Sequence, residues 1–107
     1  MSPVERLRGA LSSLPKVVHG HSRFGSHHNQ AWSVSGREFA HLHADDLLDL
    51  RLPRSIQVSL RGEPLAHLRE SSSEWVESEF HSTLDVERLV TLGHEAWAAA
   101  RESKHAG

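Results

Sequence analysis

Cysteine is absent from this chain, so neither disulfides nor thiolate chemistry can enter its function. The absence suits a reducing compartment. No apolar run approaches the ~20 residues that span a membrane, and the opening MSPVERLRGALSSL lacks the apolar core of a signal peptide. The expectation is a soluble, cytoplasmic protein with no membrane partner. An excess of one charge is lacking as well. Lys and Arg number 12 against 14 Asp and Glu, a net charge of −2 with neutral histidines. No overall positive field therefore favours a nucleic-acid partner. Catalytic signatures are equally scarce. No G-x-S-x-G presents a nucleophilic serine. No glycine spacing fits a phosphate loop or dinucleotide fingerprint, and no HExxH occurs.

Histidine, in contrast, is abundant, at ten residues in 107. Unperturbed imidazole titrates near ~6.5, so below about pH 6 the chain becomes net positive. The length allows one domain with a modest core, and 37% apolar with 24% charged residues suits a folded chain. The expected organisation is a single domain over 1–103 and a flexible C-terminal tail over 104–107.

Helix signals stand at both ends. Ser2, Pro3 and Glu5 form a capping-box start, and Val4, Leu7, Leu11 and Leu14 make one apolar stripe before Pro15. VVHGHSRF reads as a short strand. Pro53 opens a short middle helix ended by Gly62, with Ile56 and Leu60 inward. PLAHLRE and EWVESEFH read as extended segments around the polar turn SSS. The last helix starts near Asp85 and runs to about Ser103. Its buried stripe is Val86, Leu89, Val90, Gly93, Ala96, Trp97 and Ala100, with Gly93 permitting close helix packing.

Between the first strand and the middle helix, QAWSV and REFAHLH flank Ser35-Gly36, a two-residue hairpin signal. That turn pairs Trp32 with Phe39, Gln30 with His41 and His28 with His43. A second tight turn at Asp45-Asp46 leads into LLDLRL and pairs His43 with Leu48 and His41 with Leu50. On this register Trp32, Val34, Phe39, Leu48, Leu50 and Leu52 form the core face. His28, Gln30, His41 and His43 extend that face at one end. Ser33, Glu38, Asp49 and Arg51 lie opposite, with Ala40 and Leu42 among them. A slip of one residue reverses every assignment. The expected fold class is α+β: a small antiparallel sheet packed by N- and C-terminal helices plus the middle helix.

The segments VSGREFAHL, LDLRLP, SEWVESEF and LVTLGHEAWAAA resemble the MmcQ/YjbR-like fold over roughly residues 24–100. HSRFGSHHNQAWSVSGREFAHLHADDLLDLRLP more closely resembles the small luciferase-domain family. The first resemblance implies a domain suggested to bind DNA through wing-like elements. The second family's name implies light emission, for which the sequence shows neither a luciferin site nor an oxygen-activating cofactor site.

Two classes of function follow. In the first, His41 and His43, two apart on a strand and so on one face, converge with His28 on a divalent transition metal. Histidine with oxygen ligands suits zinc, copper, nickel or iron. Gln30, Trp32, Arg37 and Asp45 would then contact a small-molecule ligand. The blander account makes the histidines structural caps on a sheet, Asp45-Asp46 a solvated turn, and Trp32, Trp75 and Trp97 core residues. The second class is an interaction module that meets nucleic acid or protein through exposed wings and arginines. Clustered histidines and scattered positive charges favour the first.

Overall fold

Ser2 caps the first helix as its sequence predicts: Glu5 N–H donates to Ser2 Oγ at 3.3 Å, and Ser2 N–H donates to Glu5 Oε1 at 2.9 Å. This helix, α1, spans Pro3–Ser12 and ends before Pro15. Leu7 and Leu11 of its stripe are buried, while Val4 and Leu14 pack at the core margin. The computed structural model describes residues 2–21, 30–68 and 73–102. His28, the tail over 104–107, the end of the first predicted strand and residues 71–72 of the serine turn lie outside them.

Among the described residues six strands follow: β1 (Val18–His21), β2 (Gln30–Val34), β3 (Arg37–Ala44), β4 (Leu47–Arg51), β5 (His67–Leu68) and β6 (Trp75–Glu79). They form one antiparallel sheet in the order β1-β2-β3-β4-β6-β5. The middle helix α2 spans Arg54–Ser59, and α3 spans Thr83–Glu102. The expected α+β class is therefore the observed one. Helix α3 crosses β2, β3 and β4, and α1 packs on α3, so both long helices cover one face of the sheet. That face carries Trp32, Val34, Phe39, Leu48, Leu50 and Leu52, all buried. Leu92, rather than the half-buried Val90, completes the buried stripe of α3.

Both predicted turns form. Ser35 and Gly36 have φ of 55° and 77°, the paired positive values of a primed hairpin turn. Beside this turn the expected register holds, with Val34 opposite Arg37 and Ser33 opposite Glu38. Beyond it a β-bulge makes Phe39 an extra residue, so Trp32 pairs with Ala40, Ala31 with His41 and Gln30 with Leu42. The second hairpin behaves alike: Ala44 pairs with Leu47 at the turn, then an irregularity at His43 sets Leu42 opposite Leu48 and His41 opposite Asp49.

These bulges correct the sequence reading of the faces. Phe39 and Ala40 are consecutive yet both fully buried, because a bulge puts two residues opposite one. Alternation resumes one residue later, so Ala40 and Leu42 join the core face. His41 and His43 go to the opposite face, not to the end of the core face. Gln30 parts company with His41 for the same reason.

Candidate metal centre on the open sheet face

The face away from the helices is built around a row of directly opposed residues. Ala31, His41, Asp49, Glu77 and His67 stand side by side on β2, β3, β4, β6 and β5. His43, also on this face, reaches Asp49 across the β3–β4 ladder. His41 and Asp49 are only 8% and 4% exposed, so their polar atoms need partners. His43 Nε2 lies 2.8 Å from Asp49 Oδ2, and His41 Nε2 lies 2.6 Å from Glu38 Oε1. An ionised carboxylate only accepts hydrogen bonds, so each Nε2 donates, and in a neutral imidazole Nδ1 then carries the lone pair.

The Glu38–His41 contact is a product of the bulge. Residues three apart in a regular strand face opposite ways, but the extra Phe39 returns both to one face. Trp75 closes the other side of His41, with ring centroids 4.4 Å apart and planes 19° from parallel. His43 meets His41 edge to face at 6.1 Å. Stacking, a carboxylate and the ladder therefore fix the His41 ring.

Donor atoms of His41, His43 and Asp49 all lie within 4.8 Å of one another. A tetrahedral ion with ligands at about 2.0–2.2 Å spaces those ligands roughly 3.3 Å apart. His43 Nε2 and Asp49 Oδ2, 2.8 Å apart, already stand within it. Asp46, Glu79 and His81 form another such group, but Glu79 and His81 are exposed on the surface.

Beside the histidines runs a groove of about 430 Å³, lined by Ser33, Arg37, Glu38, His41, Arg51 and Trp75. Of the residues expected to contact a ligand, Arg37 lines this groove. Trp32 is fully buried in the core, donating Nε1–H to Ser12 Oγ at 2.9 Å. Gln30 lies on the core face and bonds His19 Nε2 at 2.8 Å. Asp45 is exposed in the β3–β4 turn. Sequence reasoning paired His41 with Leu50 and so missed Asp49, Glu38, Arg51 and Trp75 as its neighbours. Correct placement of Leu42 among the core residues would have exposed them.

No curated protein and no solved structure matches the chain. One family model does. It is that of the Luciferase domain, matched over residues 36–96, a span holding β3, β4, α2, β5, β6 and most of α3, with His41, His43 and Asp49 among them. This span is more than half of the 107 residues, and the chain belongs to the Luciferase domain family.

Proposed function

We propose that the protein binds a divalent transition metal through His41, His43 and Asp49, in a groove that admits a small-molecule ligand. One observation carries this reading: three donor groups from two adjacent strands converge within 4.8 Å. Asp49 supplies the third ligand among the described residues, a role the sequence assigned to His28. The ion would replace the proton shared by His43 and Asp49, which makes binding proton-linked. Glu38 acts behind His41, holding its ring in place, as carboxylates do behind metal-bound histidines. Three protein ligands would be the number found at catalytic rather than structural zinc, and His41 also lines the groove.

The charge distribution favours this reading over a nucleic-acid module of the YjbR-like type. Arg6 faces Glu87 and Arg88 faces Glu63 at separate places on the described surface. Separate pairs of this kind make no continuous basic face for a phosphate backbone.

The test is metal content by mass spectrometry of gently purified protein without a histidine tag, before and after reconstitution with zinc, copper, nickel or ferrous iron. About one ion per chain is expected, with loss in His41→Ala/His43→Ala and in Asp49→Asn. Protein that stays metal-free through reconstitution, or variants that retain the ion, would refute the assignment.

A further inference from the structure

Arg37 and Arg51 line the histidine groove and also an adjoining cavity of about 60 Å³ bounded by Pro53, Ala99 and Ala100. Their guanidinium groups converge on a single carboxylate oxygen. Glu74 Oε1 accepts from Arg51 Nε at 2.9 Å and lies 3.7 Å from Arg37 Nη2. At 3.7 Å the Arg37 contact is an ion pair without a hydrogen bond. Two full positive charges thus share one oxygen. Glu38, the acid that lines the groove itself, is committed to His41 at 2.6 Å. A guanidinium offers five N–H donors in a planar fork, and the Glu74 contacts use few of them. All three side chains are about one-third exposed, at 31%, 32% and 39% for Arg37, Arg51 and Glu74. Their spare donors are therefore accessible from water. Trp75 flanks Arg51, with the guanidinium carbon 6.0 Å from its ring centroid, and supplies an apolar wall. A space of about 430 Å³ falls within the range of small-molecule sites, roughly 300–1,000 Å³.

We infer that this groove binds a small organic acid or phosphate ester whose anionic group lies between Arg37 and Arg51. Forked guanidinium pairs match the oxygens of carboxylates and phosphates. Glu74 is the internal counter-anion with which the ligand competes. The site stands on the arginines alone and does not require the metal.

The competition gives tests of opposite sign. Inorganic phosphate and succinate are titrated into the full chain by calorimetry, with a chelator present and ionic strength held constant with chloride. Saturable binding is expected, weakened about tenfold or more in Arg51→Gln and Arg37→Gln. In Glu74→Gln, which removes the competitor, binding should tighten several-fold. That variant keeps both positive charges, so it tests the site even where an arginine variant fails to fold. The tighter-binding probe identifies the anionic group. Absence of saturable binding of either probe to both wild type and Glu74→Gln would overturn the inference. Arginine variants that bind as well as wild type would overturn it too, as would weaker binding in Glu74→Gln. Because the chelator removes any ion, these results are independent of whether His41, His43 and Asp49 hold a metal.

Discussion

At His41 a single imidazole meets three neighbours of different kinds: the Glu38 carboxylate, the Trp75 ring and the edge of His43. Glu38 is the contact whose removal is most informative, because it acts on the ring without belonging to the proposed ligand set. Glu38→Gln keeps the size of the side chain and removes its charge. Metal affinity is expected to fall about 10–100-fold, the usual cost of losing the carboxylate behind a ligating histidine. Competition against a chromophoric chelator measures this directly, with circular dichroism to confirm the fold. Affinity equal to wild type would show that Glu38 does not position the ring.

At the scale of elements, both long helices begin with acid-dependent caps. Glu5 is held below its usual carboxylate range, chiefly by the Ser2 backbone N–H and then by the Ser2 hydroxyl. Asp85 is lowered first by the His81 backbone N–H, with further help from the N–H and hydroxyl of Ser82. A lowered folded-state value means that the unfolded chain binds protons more readily. The stabilisation is therefore fully present above the unfolded carboxyl range and disappears as pH falls through the folded values. Urea midpoints should fall with acidification below about pH 5, the range in which carboxyls take up protons. Glu5→Gln/Asp85→Asn should lower the neutral midpoint and flatten that decline. A double variant with an unchanged pH profile would refute the caps as its source.

The elements also mark what could be read in advance. Ser2, Pro3 and Glu5 announced α1, and Ser35-Gly36 and Asp45-Asp46 announced two hairpins, because capping and turn residues act locally through their own backbone. Each hairpin register holds beside its turn and fails beyond it. A bulge has no composition of its own, and Phe39-Ala40 offers two apolar residues where alternation allows one. Leu42 held the missing clue. Placing it on a polar face while two histidines entered the core would bury imidazole nitrogens at the expense of an aliphatic side chain. Asp49, Glu77 and His67 reach the row from separate strands. Only the fold aligns them.

For the whole molecule, the docking of α1 on α3 is the contact that closes the core over the sheet. Gly93 makes it possible: a Cβ there would lie 2.8 Å from Leu11 Cδ2, and Leu11 is itself buried at 1% exposure. Gly93→Ala gains about 1 kcal/mol of helix propensity but overpacks a filled site, at a typical cost of about 1–3 kcal/mol. The net expectation is a loss of roughly 1 kcal/mol, lowering Tm by about 4–8 °C in a domain of this size. Pairing it with Leu11→Val should recover part of the loss, and metal content should not change. Thermal denaturation checks this, and an equal or higher Tm for Gly93→Ala would refute the close-contact argument.

The extra residue at Phe39 works as a change of phase in the strand. Before it, odd and even positions address one pair of surfaces; after it, the address is exchanged. The histidines are thus tied to the counting of residues between Gly36 and Asp49 more than to their chemical surroundings. Exposed side chains in this interval are free to vary in kind. A deletion or insertion is a different event, since one residue more or fewer would send His41 into the core and Leu42 into water. Along this stretch, constancy of length is the condition on which the site depends.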